Sequence, residues 1–295
     1  MLVTMVRNGV VAVAAVVALL LSATVAAEPT VPSGLEARLR EAHRIHRDHA
    51  GRLEAVSRLF IGAAFARSPL GEGAGQQPDP DPTMDLSRFD CVTYVEQVMA
   101  LSWHRDLQRA STELQRIRYT AGQIRYGARK HIMMAQWIPQ NVAAGFVADI
   151  TREVAGSATR TALLTVDSSD FDRGLGKRLA IPAADRPRGT YTLDVVGVTD
   201  LLRRIDRVPH GTVLTTIRRA RAGVPYRASH VGLVVAVAGE RRIRHADRRA
   251  RAVVDEPLAG YLRRARRLRH PPVEGFHLLS VAATSPAEAV PAQAL

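Results

Sequence analysis

The stretch Arg88-Phe89-Asp90-Cys91-Val92-Thr93-Tyr94-Val95-Glu96 contains the only cysteine in the chain. After it, Val92, Val95, Val98 and Met99 recur at three- and four-residue spacing, which predicts a helix beginning near Cys91. Asp90 is suited to cap that helix by accepting hydrogen bonds from its first free N–H groups. Cys91 is then the first helical residue. The positive end of the helix dipole favours thiolate over thiol there, and the same N–H groups suit a developing oxyanion. A lone cysteine forms no internal disulfide. It is an inert buried thiol, an intermolecular bridge or a nucleophile, and the Asp-Cys helix start favours the nucleophile.

A nucleophilic cysteine needs a base. Ten histidines are present, so position matters more than presence. His230 opens Ser229-His230-Val231-Gly232-Leu233-Val234-Val235, the clearest strand pattern in the sequence. Val231, Leu233 and Val235 alternate onto one face, and His230, Gly232 and Val234 take the other. Gly232 beside the histidine is expected to leave room for a substrate. Arg241 to Ala246 reads as the returning strand, joined by a turn at Gly239-Glu240. That turn sets His245 opposite Val234 and Asp247 opposite Gly232. His245 is then on the His230 face but about four residues along, roughly 13 Å in a flat sheet. Asp247 is the runner-up for the residue that orients His230. His43, His46 and His49 read as a solvated helix face. No paired Cys or His spacing suggests zinc, and no metal or cofactor is expected.

The N-terminus is a separate signal. Arg7, an apolar run from Val10 to Leu21 and the small residues Val25-Ala26-Ala27 describe a secretory signal peptide over 1–27. Val10 to Ala27 falls slightly short of the roughly 20 apolar residues that span a bilayer, which leaves an uncleaved anchor as the competing reading. Export, to the periplasm or cell envelope, is the expectation. The net charge is +13, with 41 Lys and Arg against 28 Asp and Glu. Arginines crowd the region from Arg203 to Arg269. Such charge suits an anionic envelope polymer or is simply a solvated surface. Nucleic acid is not expected, because aromatics are only 5% and do not alternate with the arginines.

Residues 34–66 read as amphipathic helix, and Ser68 to Asp85 as a long Gly/Pro/Asp-rich loop. Helix is expected over Leu107 to Ile124, broken near Gly122, and around Trp137 to Ala144. Strands are expected over Thr161 to Val166, Tyr191 to Val198 and Gly211 to Ile217, and a short basic helix over Pro257 to Arg267. The parse is one domain over 28–280, with a helical lead-in at 34–66 and a core at 86–270. Residues 281–295 are Ala/Pro-rich and expected to be a disordered tail.

Asp90-Cys91 at a helix start, Ser229-His230-Val231-Gly232-Leu233-Val234-Val235 on a strand and His245-Ala246 on the next resemble the NlpC-type papain-like peptidoglycan hydrolases. Pro69-Leu70-Gly71-Glu72-Gly73, the Cys91 segment, Arg129-x-His131, Trp137-Ile138, Asn141 and Pro209-His210-Gly211-Thr212-Val213 narrow the resemblance. They are similar to the N-acetylmuramoyl-L-alanine amidase-like family, over about Ile61 to Leu262. The resemblance implies an α+β papain-like fold in which the cysteine helix packs on an antiparallel sheet, with helical elaborations. It implies hydrolysis of the amide between the lactyl group of N-acetylmuramic acid and L-alanine, in peptidoglycan or its fragments. Cys91 is then the nucleophile, His230 the base and His245 the orienting residue, with Arg129 and Trp137 contacting substrate. An endopeptidase or acyltransferase on the same fold, or a non-catalytic envelope-binding protein, is the alternative.

Overall fold

The computed structural model describes residues 31–286, so the expected signal peptide lies outside the described residues. The helix that begins at Cys91 is central to the architecture. It runs Cys91–Trp103 (α3) and is buried from Thr93 to Trp103. A helix apolar on nearly every side belongs inside a core rather than on its surface. Two lead-in helices, Leu35–Ile45 (α1) and His49–Arg58 (α2), and the following helix Leu107–Arg118 (α4) surround it.

The other layer is one curled sheet. Its strands are Ala64–Phe65 (β1), Arg88–Phe89 (β2), Val147–Asp149 (β3), Thr159–Val166 (β4), Gly189–Val196 (β5), Thr212–Arg218 (β6), Ala228–Val237 (β7), Glu240–Asp247 (β8), Ala252–Pro257 (β9) and Val273–Val281 (β10). The order is β2-β1-β9-β8-β7-β6-β10-β5-β4, and β3 also pairs with β10. Every pairing among the described residues is antiparallel except β1 with β2. The fold is thus α+β. Both faces of β7 are covered. Val231, Leu233 and Val235 join the core that contains α3, while Val234 packs with Ile243 and the helix Leu258–Ala265 on the opposite face.

Several elements differ from expectation. β3, β9 and β10 have no counterpart in the sequence reading. The expected tail is packed at its start: Ala282 donates to Phe146 O at 3.0 Å and accepts from Trp103 Nε1 at 2.8 Å, and Ser285 is fully buried. His43 and His49 do not form a solvated face. His43 Nε2 bonds Leu101 O at 2.8 Å, and His49 Nε2 bonds Ser102 Oγ at 2.9 Å and stacks on Trp103. Arg52 adds a bond to Ser102 O at 3.2 Å. The last carbonyls of a helix lack intrahelical partners and carry partial negative charge, so the lead-in helices complete the C-terminal end of α3.

No helix among the described residues is long and apolar enough to cross a membrane.

Candidate active site

The N-terminal end of α3 is locally determined. Asp90 Oδ1 accepts from the N–H groups of Val92 at 2.9 Å and Thr93 at 2.8 Å, and Thr93 Oγ1 accepts from Asp90 N at 3.0 Å. This reciprocal box seats Cys91 as the first helical residue. Asp90 Oδ2 also accepts from Ser68 N at 3.2 Å, tying the long loop to the helix start. That loop is folded on itself by bonds from Gly71 to Pro82, Glu72 to Asp79 and Gly73 to Asp81. Any Cβ at position 71 would lie 2.7 Å from Asp79 O, so the loop closes only around a glycine.

Cys91 lies against the main chain of β7, where the N–H groups of Val231, Cys91 and Val92 all favour its ionised form. They are outweighed. Burial first, and the Asp90 carboxylate second, push the thiol up to about 12. The thiolate expected from the helix end alone is therefore not the resting state.

His230 lies on β7 and His245 on β8, and their rings meet. His230 Nε2 and His245 Nδ1 are 2.6 Å apart, with the ring planes at 84°. The expected turn was one residue off. The turn residues are Ala238 and Gly239, with Val237 opposite Glu240 and Leu233 opposite Arg244. Relative to the expected register this slides β8 by two residues and brings His245 alongside Gly232. A Cβ on residue 232 would lie 2.9 Å from the His245 Cβ, so Gly232 makes room for the second histidine rather than for a substrate.

The chain of contacts continues to β9. His245 Nε2 lies 3.0 Å from Glu256 Oε1, and Arg264 pairs with both oxygens of that carboxylate. Burial alone would raise the Glu256 pKa, but the His245 hydrogen bond and the Arg264 guanidinium bring it to about 2. Tyr261 packs on both imidazoles, with its hydroxyl 2.6 Å from Thr216 Oγ1. Burial first, and the neighbouring His245 second, bring the His230 pKa from 6.5 down to about 3. The site thus has a neutral thiol, a neutral imidazole and an ionised Glu256 at its base.

Glu256, Tyr261 and Arg264 are absent from the sequence reading. The signal for Glu256 was faint: Ala252-Val253-Val254 is a short β-branched run that ends in two acids and a proline. Asp247 lines the His230 pocket, but its carboxylate accepts from Arg249 N at 2.8 Å and makes no bond to His230 among the described residues. His245, Asp247 and Glu256 bring ligand atoms within 4.8 Å of one another, a spacing a cation could use. Arg264 already balances the Glu256 charge at that point.

A second pocket lies at the start of α3, lined by Asp90, Val92, Thr93, Glu96, Arg118 and Lys130 among others. Arg129 also reaches this pocket, but it is tied to Glu72 and to Asp79 at 2.9 Å. Trp137 is 1% exposed and donates from Nε1 to Glu96 Oε1 at 2.8 Å. Expected as a substrate contact, it instead supports the wall from behind. Asn141 does the same, accepting from Lys130 Nζ at 2.8 Å. His131 bonds Tyr126 O at 2.7 Å. Much of the late arginine charge is also spent internally, since Arg227, Arg242, Arg244 and Arg264 all pair with carboxylates.

Among the solved structures that resemble this fold are the following two. A Legionella pneumophila protein of a domain-of-unknown-function family aligns with TM-score 0.74 at 23% identity, covering 84% of this chain and 94% of its own. An N-acetylmuramoyl-L-alanine amidase from Bacteroides uniformis aligns with TM-score 0.64 at 19% identity, covering 79% of this chain and 98% of its own. Identities this low establish the fold alone. A comparison with curated proteins found no match. The family model described as AmiA-like, N-acetylmuramoyl-L-alanine amidase-like, matches residues 55–268, which is most of the chain, and the protein belongs to that family.

Proposed function

We propose that the protein is an exported, papain-like cysteine amidase that cleaves between N-acetylmuramic acid and L-alanine in peptidoglycan or its fragments. The observation that carries this reading is the hydrogen-bonded series His230–His245–Glu256 beside Cys91 at a helix start.

The series sets the tautomers. Ionised Glu256 can only accept, so His245 donates to it from Nε2. With Nε2 as its donor, His245 accepts at Nδ1, and His230, neutral at rest, donates from Nε2. That leaves His230 Nδ1 as a bare nitrogen able to take a proton. Because the thiol and imidazole rest neutral, the proton moves as the sulfur attacks rather than beforehand. The S–C bond forms while the S–H proton passes to Nδ1. Collapse breaks the C–N bond, and His230 returns the proton to the departing L-alanine nitrogen. Water then adds to the thioester with His230 again as base, releasing the lactyl carboxylate and restoring the thiol. For the oxyanion, Asp90 occupies the N–H groups of Val92 and Thr93, which leaves the Cys91 N–H as the first-turn donor.

The test is digestion of purified muropeptides followed by mass analysis. The expected products are a peptide beginning with L-alanine and an intact N-acetylmuramic acid, with Cys91→Ala inactive. Cleavage between amino acids would make it an endopeptidase. Products that appear only with an added amine acceptor would make it an acyltransferase.

A further inference from the structure

If His230 returns its proton to the departing nitrogen, the peptide that leaves must lie on the His230 side of Cys91. The pocket on that side carries three arginines, Arg218, Arg249 and Arg264, beside Asp247. Arg264 is committed to Glu256. Asp247 is occupied by the Arg249 main-chain N–H. The Arg218 guanidinium, among the described residues, donates through its Nε alone, to Pro271 O. Among the described residues, neither the Arg218 nor the Arg249 guanidinium lies within ion-pair distance of a carboxylate.

Arg218 is also placed where a ligand would pass. With Ser229 it lines both the His230 pocket and an adjoining one bounded by Val224, Tyr226 and His270. It is partly withdrawn from water, enough for burial to lower its pKa. A planar guanidinium that gives up hydration without gaining an anion is suited to bind a carboxylate from outside, through two parallel N–H donors.

We infer that Arg218 and Arg249 hold a free carboxylate of the leaving stem peptide, on the residue that follows L-alanine. This rests on the amidase reading and deepens it. Specificity comes from the leaving half of the substrate: a peptide carrying a primary amide there leaves both arginines without an ionic partner.

The test compares N-acetylmuramoyl-L-alanyl-γ-D-glutamyl substrates with a free α-carboxylate or a primary amide at that position. The free acid is expected to have the higher kcat/KM by about tenfold, mainly through KM. Arg218→Gln and Arg249→Gln should each move the acid-to-amide ratio toward one, and Arg218→Lys should keep part of it. A ratio near one in the unmodified protein, or one unchanged in both glutamine variants, overturns the inference. If neither substrate turns over, the amidase reading fails by itself. The inference is then decided by calorimetry of the L-alanyl-γ-D-glutamate dipeptide and its amide on the Cys91→Ala protein. Tighter binding of the acid supports it, and equal binding sinks it.

Discussion

Arg244 and His245 are neighbours on β8, and Asp255 and Glu256 are neighbours on β9, yet the two pairs serve different ends. Arg244 is 1% exposed and points toward the lead-in helices. There it bonds Asp255 Oδ2 at 2.7 Å, Ser57 Oγ at 2.7 Å and Glu54 O at 3.0 Å. His245 points to the opposite face and joins His230 to Glu256. Strand alternation alone separates them. The first network has permanent charges with matched partners and fastens α2 to the sheet. The second begins at His230, whose imidazole rests neutral, and it opens into a pocket. Adjacent residues thus divide between fastening a helix to the sheet and lining the pocket beside His230.

The largest effect should come from the reactive face. His230→Ala is expected to reduce kcat by about 10³-fold or more, with the unfolding midpoint nearly unchanged. A comparable loss of stability would mean that His230 is structural, like Arg244. Conversely, Arg244→Ala should cost about 1–3 kcal/mol in denaturant unfolding, because it strips buried Ser57 Oγ and Glu54 O of a donor while Arg242 still pairs with Asp255. An unchanged midpoint would remove the distinction between the two faces. Glu256→Gln is intermediate. It takes away the obligatory acceptor that sets both tautomers, and kcat should fall about 10²-fold while the fold persists.

The pH response sharpens the contrast. The depressed His230 pKa means that the free protein keeps its base neutral far below 6.5, toward about 3. The acid limb of kcat/KM should therefore lie well under the usual histidine range. The stability term has the same sign: the unfolded chain takes up the proton first, so the contribution is full above 6.5 and is lost as pH falls toward about 3. A limb at 6.5 would mean that the site is wet. On the same grounds, a thiol near 12 should alkylate with iodoacetamide more slowly at pH 7 than a free thiol. The smallest effect expected is that of a chelator: turnover should be indifferent to it. Its loss would assign a cation to His245, Asp247 and Glu256.

What the sequence alone determined is the part written in short-range contacts. The Asp90 cap and Thr93 close a box within four residues, so the helix start at Cys91 needs no tertiary information. The alternation through Val231, Leu233 and Val235 likewise places His230 at the start of a buried strand. The register of β8 depended on a turn whose chemistry was disguised. Ala238 at φ 49° and Gly239 at φ 82° form a two-residue turn with both centres left-handed. Alanine in that role gives none of the Asn-Gly or Asp-Gly signal, and the one-residue error displaced His245 by two positions. Glu256 was hidden because β9 is short, charged and half-buried, and it becomes a strand only by pairing with β8. The thiol followed the same logic: its helix end is local and readable, but the burial that overrides it is the sum of everything packed around Cys91, and only the tertiary structure supplies that.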